Sequence, residues 1–312
     1  MPDKAHNIPN SAPLPNNDYN VYGETLGMPR ERIAELQKEQ IARIKRQRQQ
    51  VQEEKMSELA IYRDLRTEFV GKNILYLPVT TSTMDIAKQA VSNRAAEGTI
   101  VITDEQTAGR GRAGRKWLSP PGSSILLSII VKPNLAQLSR LNMVAALATA
   151  QAIEKTTGIK PTIKWPNDII IEGKKVSGML IEGDIQDEVV NSAVVGIGVN
   201  ITLDPSTIPE IKDTATSLRV VLREEVSRLE VLRALLLEFE QLYKALLHGE
   251  DIHKKWLRRL ETLGRQVRVK MGDEDEELEG YAESVDSEGH LWLRRPDESL
   301  VEIIAGDVML RT

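Results

Sequence analysis

The sequence predicts an α+β fold: a mixed sheet with packed helices as the main domain, a small C-terminal β-barrel and an extra N-terminal helical segment. Three observations predict it. Short apolar runs that read as buried strands alternate with longer segments whose apolar residues recur at helical spacing. Beyond Gly264 the pattern changes to period two in short pieces separated by turns, as in Val267-Arg268-Val269, His290-Leu291-Trp292-Leu293 and Val301-Glu302-Ile303-Ile304. From Arg30 to about Arg66 the chain is rich in Glu, Lys, Arg, Gln and Ala, with no Gly or Pro. The implied divisions are 1–64, a disordered N-terminus with a charged helical extension; 65–262, the main domain; and 263–312, the small β module.

Taken in order, residues 1 to about 28 are rich in Pro and Asn and are expected to be disordered. The helix that follows has only a narrow stripe, Ile33, Leu36, Ile41 and Ile44, so its plain role is a solvated or partner-docking helix. No compact three-helix pattern with a Gly-containing turn is visible in it, which argues against a helix-turn-helix. The core starts with a strand at Gly71–Leu77. Thr80-Thr81-Ser82-Thr83-Met84-Asp85 then leads into a helix, with Ser82 and Asp85 at the spacing of an N-terminal cap. Hydroxyls and free N–H groups at a helix start also make a polar binding surface.

Ile100-Val101-Ile102 and Ile125–Val131 read as core strands, and Ser139–Thr157 as a helix stopped by Gly158. Thr162-Ile163-Lys164-Trp165 is a short strand ending in the turn Pro166-Asn167-Asp168. Ile169–Ile171 and Lys175–Glu182 form a hairpin through Glu172-Gly173-Lys174. The strand Val194–Asn200 carries alternate glycines, which mark either a ligand lying on the sheet or tight helix contact. A long amphipathic helix is expected from Arg223 to about His248, and a further helical piece to about Glu261.

Composition narrows the chemistry. No apolar run approaches the ~20 residues that span a bilayer, and the first residues have neither an apolar signal core nor a basic flank, so a cytoplasmic location without a membrane partner is the expectation. With no cysteine, disulfides, thiolate metal sites and a Cys nucleophile are excluded. Of the scattered His6, His248, His253 and His290, the pair five apart reads as solvated surface, and no metal site is expected. A net charge of −5 disfavours a nucleic-acid binder that uses its whole surface, while leaving local basic loops open.

The strongest functional signal is Gly109-Arg110-Gly111-Arg112-Ala113-Gly114-Arg115-Lys116-Trp117. Glycines let a ligand approach the main chain, and the cations supply donors suited to phosphate or carboxylate. Gly-Arg repeats also occur in nucleic-acid-binding tails, but those are long, and this is one copy between two core strands.

With this loop, the Ser82-Thr83 helix start, the Lys-Trp-Pro-Asn-Asp turn, the Lys175 hairpin and the glycine strand in this order, the chain resembles a biotin protein ligase, of the type without an N-terminal DNA-binding domain. The resemblance runs from about Leu65 to Thr312. It implies joining of biotin to ATP as biotinyl-5′-adenylate, then transfer to a lysine of a biotin carboxyl carrier protein. It also implies magnesium as the partner of ATP, with Asp168 as a guess for a ligand, and leaves open a homodimer built by pairing sheet edges.

By the resemblance, Ser82, Thr83 and Gln106 bond the ureido ring of biotin, Arg110, Gly111 and Arg112 close over the ligand after Gly109, and Lys175 bonds the carboxylate end. Trp117 packs near the adenine, and Gly178 and Asn200 line the nucleotide side. Arg112, Arg115 and Lys175 are the candidates for offsetting charge during adenylation, a step that needs no side-chain nucleophile. Two positions depart from the family pattern: Met84 stands where Asn is common, and Ala113 replaces a frequent arginine. The alternatives are a lipoate or related acyl-adenylate ligase, a nucleic-acid-binding protein using the Gly-Arg loop, and a scaffold whose first sixty residues dock a partner.

Overall fold

The computed structural model describes residues 55–270 and 277–310. The expected disordered stretch 1–28 and most of the expected helix from Arg30 lie outside the described residues. Within them, the helix α1 covers Glu58–Arg63 only. Its Ala60 and Ile61 are buried in the main core together with Met56, so this end of the charged extension packs as part of the main body.

A seven-stranded mixed sheet follows. Its strands are β1 (Ile74–Thr80), β2 (Ile100–Gln106), β3 (Ser124–Val131), β4 (Thr162–Lys164), β5 (Asp168–Ile171), β6 (Lys174–Gln186) and β7 (Val189–Asn200). Their spatial order is β1-β2-β3-β7-β6-β5-β4. Only β1 and β2 are parallel; every other pairing is antiparallel. The parallel pair requires a crossover, supplied by helix α2 (Thr83–Ser92).

Alternation along β2 decides which layer each side chain joins. Ile100 and Ile102 point into the large core, and Val101 points to the opposite face, against Met84 and Ala87 of α2. The large core holds α4 (Leu141–Thr157) and α6 (Arg228–Leu247), which lie against each other; α3 (Leu135–Leu138), a single turn closed by an Asn134–Gln137 capping box, precedes α4. Helix α4 is apolar around most of its circumference, as expected for a helix enclosed on all sides, and stops at Gly158 with φ 77°.

The long helix read from Arg223 begins instead at Arg228. Arg223 takes φ 55° and ends a separate short helix, α5 (Leu218–Leu222), which the sequence reading did not include. The helical piece after α6 is α7 (Ile252–Leu257).

The C-terminal module is a separate five-stranded antiparallel sheet. It comprises β8 (Gln266–Lys270), β9 (Glu277–Val285), β10 (Leu291–Arg294), β11 (Leu300–Ile303) and β12 (Asp307–Leu310), in the order β11-β10-β9-β8-β12. The sequence reading lacked β9, whose charged and small residues obscure the alternation, and β12, which is only four residues long. A closed barrel would require the edge strands β11 and β12 to pair, and no such pairing occurs among the described residues.

Helix α6 also fixes the chain entering the sheet. The buried Glu240 carboxylate accepts from the main-chain N–H groups of Glu68 (2.7 Å), Phe69 (2.7 Å) and Val70 (2.9 Å). Glu240→Ala leaves these donors unpaired and is expected to lower stability by about 3 kcal/mol in urea denaturation, with Glu240→Gln losing less.

Candidate functional site

On the α2 face of the sheet, under the Gly-Arg loop, lies a cavity of about 930 Å³. Every site residue anticipated from the sequence lines it except Gly109. That glycine sits beneath the loop: a Cβ there would lie 2.7 Å from the Trp117 carbonyl oxygen, so the tight approach needs glycine.

The loop is a small hairpin. Trp117 N–H donates to the Gly109 carbonyl (3.0 Å) and Gly111 N–H to the Arg115 carbonyl (2.7 Å). Its tip is Ala113 and Gly114 with φ 49° and 68°, the left-handed pair of a tight two-residue turn. Arg110 pairs with Asp85 of α2 at 2.5 Å, and Arg115 with Asp307 of β12 at 2.7 Å. Arg115 Nε also donates to the Arg112 carbonyl (3.2 Å). Arg112 turns inward and donates to Asn167 Oδ1 (3.3 Å). Burial lowers the Arg112 pKa, while Asp307 and Asp168 favour the charged form.

At one end of the cavity Ser82 begins α2, but its hydroxyl makes no capping bond. The Ser82 Oγ is buried without a hydrogen-bond partner, so the capping role suggested by spacing does not hold. Beside it, Gln106 Oε1 accepts from Thr83 N–H (2.8 Å) and from Thr83 Oγ1 (3.2 Å). Ser128 Oγ in turn donates to Thr83 Oγ1 (2.8 Å). The network fixes the Gln106 amide so that its NH₂ is the end left over. A buried unpaired hydroxyl next to an oriented amide suits a small polar ring with both donors and acceptors.

The floor of the cavity is glycine. Gly178 on β6 faces Gly198 on β7 in register, and Gly196 lies two residues along. A Cβ at Gly198 would lie 2.5 Å from the Trp117 ring, one at Gly178 2.8 Å from Lys175 Nζ, and one at Gly196 2.6 Å from Met84 Sδ. The bare face is therefore covered by the site's own indole, ammonium and thioether rather than by a helix backbone. Gly198→Ala is expected to push the indole off the strand, read as increased acrylamide quenching of tryptophan fluorescence, since the Trp117 Nε1 is otherwise buried.

Lys175 Nζ lies 2.6 Å from Asp168 and 5.8 Å from the Trp117 ring centroid. Asp168 also faces Lys164 at 3.6 Å. The Lys-Trp-Pro-Asn-Asp turn that presents these groups is rigidly held. Trp165 donates through its main chain to Thr262 (2.9 Å) and through its indole to the Gly289 carbonyl (2.8 Å), and Asn167 Nδ2 donates to the Met179 carbonyl (2.6 Å). Asn200 is buried, donates to the Thr216 carbonyl (3.0 Å) and accepts from Ser124 (3.4 Å).

Sequence reasoning missed Lys164, Glu210, Asp213, Glu261 and Arg265 as lining residues. Lys164 was within a motif already singled out. Segment 208–216 carried no pattern; it reaches the cavity because Thr214 and Thr216 exchange main-chain hydrogen bonds with Lys175. Charge in the cavity is mixed with a basic excess, which suits an anionic ligand.

A model of the Biotin/lipoate A/B protein ligase family matches residues 76–200, and a model of the Biotin protein ligase C terminal domain matches residues 262–311. The chain is 37% identical over 259 residues to the Bifunctional ligase/repressor BirA of Bacillus subtilis, covering 82% of this chain and 79% of that protein. It is 30% identical over 261 residues to the Biotin--[acetyl-CoA-carboxylase] ligase of Mycobacterium tuberculosis, covering 79% and 94%. Among solved structures, the biotin protein ligase of Aquifex aeolicus in complex with biotin and ATP is similar at a TM-score of 0.65 and 30% identity, over 77% of this chain and 99% of that one. With the Gly-Arg loop, the cavity beneath it and the C-terminal sheet falling within the matched stretches, the chain belongs to the biotin protein ligase family.

Proposed function

We propose that the cavity binds biotin and ATP side by side, joins them as biotinyl-5′-adenylate, and then gives the biotinyl group to a lysine of a biotin carboxyl carrier protein. The observation that carries this reading is the buried, unpaired Ser82 hydroxyl beside the Thr83-fixed Gln106 amide, at one end of a cavity with Arg112 and Lys175 further along it.

In the first step a biotin carboxylate oxygen attacks the α-phosphorus and pyrophosphate leaves. Both reactants are anions, so the barrier includes their repulsion and the charge that builds on the phosphoryl oxygens. In this reading Lys175 bonds the carboxylate and Arg112 meets the phosphate, a reading supported by their both lining the cavity. Arg115, tied to Asp307 and to the loop main chain, holds the hairpin. Trp117 offers a flat face for the adenine, with Asn200 and Gly178 on that side. In the second step the carrier amine attacks the mixed anhydride carbonyl and AMP leaves. No protein nucleophile takes part, and the closed loop keeps water from the anhydride.

Asp168 does not fit as a dedicated magnesium ligand, because two ammonium groups already face its carboxylate. Magnesium in this reading enters with the nucleotide.

Residues 65–262 are proposed as the catalytic domain and 263–312 as a second domain, a partly open barrel whose buried residues include Val267, Val269 and Leu293. The segment 1–64 lacks a three-helix apolar pattern, which supports a ligase without a DNA-binding domain; gel shifts with DNA are expected to be weak and not sequence-specific. With ATP and a carrier protein as co-substrates, the proposed location is the cytoplasm. No helix among the described residues is long and apolar enough to cross a membrane. Exposed Leu75 and Val79 on the edge strand β1 favour a homodimer through that edge, measurable by sedimentation.

The test of the reaction is pyrophosphate release from ATP with biotin as the added acid. Release that requires biotin supports the proposal. Release with lipoate and none with biotin moves the substrate to the related acyl ligases.

A further inference from the structure

We infer that Met84 determines which rings the pocket accepts, by forming its wall against Gly196. The inference rests on the biotin reading of the Ser82 end of the cavity. Met84 lies one residue beyond Thr83, in the first turn of α2, so the same turn that presents the polar partners also carries this apolar side chain. It is 4% exposed, faces the cavity, and is backed by Ala87, Val101, Ile130 and Val194.

The contact with the sheet is close. A Cβ added at Gly196 would lie 2.6 Å from Met84 Sδ and 3.3 Å from its Cγ, with the Leu180 carbonyl 3.4 Å on the other side. Glycine at 196 therefore lets the thioether lie down on the strand, and any larger residue there would lift it into the cavity. The pair sets the space left for a ring seated on Ser82 and Gln106.

An apolar wall here has a chemical consequence. It offers no hydrogen bond, so it discriminates by shape and by contact with apolar ring atoms, while Ser82 and Gln106 read the polar edge. In such a pocket one methyl group more or less changes kcat/KM by about tenfold or more. A linear thioether also adjusts its rotamers more easily than a branched side chain, so Leu at this position is not equivalent despite its similar volume.

The test compares wild type, Met84→Ala, Met84→Leu and Gly196→Ala, by pyrophosphate release with three acids: biotin, desthiobiotin, and a biotin analogue enlarged by one ring methyl group. Met84→Ala is expected to raise the KM for biotin about tenfold with the KM for ATP unchanged, and to improve the enlarged analogue relative to biotin by at least tenfold. Gly196→Ala is expected to do the reverse, favouring desthiobiotin over biotin. If all three acids fall by the same factor in every variant, Met84 is only a packing residue and the inference is overturned. Should Met84→Ala fail to fold, Met84→Leu carries the test, since an unchanged ranking of the acids there overturns it equally. Failure of the biotin reading itself is separate: wild type would then show no biotin-dependent release at all.

Discussion

Lys175→Met is expected to slow biotin-dependent adenylation by about 10³-fold, measured as the single-turnover rate of biotinyl-adenylate formation. The substitution keeps most of the side-chain volume over Gly178 and removes only the ammonium that lies 2.6 Å from Asp168. Two losses then act together. The reactants lose the cation placed between their negative charges, and Asp168 loses its nearest cation, leaving Lys164 at 3.6 Å and the field of Arg112 to offset its charge. Lys175→Arg retains a cation in a different shape and is expected to recover part of the rate. The urea midpoint should be little altered, because Lys175 is partly exposed and its ion pair adds little to folding. A rate within threefold of wild type would remove Lys175 from the chemistry.

Arg112→Gly is the second large effect, with adenylation about 10²-fold slower and the intermediate released into solution. Among the loop arginines Arg112 donates to Asn167, while Arg110 and Arg115 pair with Asp85 and Asp307; burial lowers the Arg112 pKa, and Asp307 and Asp168 favour its charged form. Its removal takes away both a phosphate partner and the tie between the loop and the Lys-Trp-Pro-Asn-Asp turn. The measurement is the fraction of biotinyl-adenylate that passes a filter retaining the protein, with wild type holding it and the variant leaking it. Equal retention by both would show that loop closure does not depend on this contact.

Local order was legible in the residues themselves. Continuous apolar runs identified β2 and β3, an apolar run with alternate glycines identified β7, and Gly158 marked the end of α4, because burial pattern and backbone freedom are local properties. The same locality explains the errors. The helix expected from Arg223 starts five residues later, because Arg223 takes a left-handed conformation and the Ser227 hydroxyl, accepting from Glu230 N–H, caps α6 at Arg228. Likewise, β9 alternates charged and small residues and β12 is only four residues long, so only their pairing with β8 reveals them.

For the site, the sequence by itself determined the parts: a cationic glycine loop, a hydroxyl-rich helix start, a lysine hairpin and a bare strand. Tertiary structure alone decided what each part does. It withdrew the Ser82 hydroxyl from its cap and buried it in the cavity, turned Arg112 inward while Arg110 and Arg115 pair with Asp85 and Asp307, and laid Met84, Trp117 and Lys175 on three glycines. The physical reason is that residue type fixes the available donors, charges and volumes, whereas partner, direction and burial depend on chain segments up to 192 residues apart that meet only in the fold.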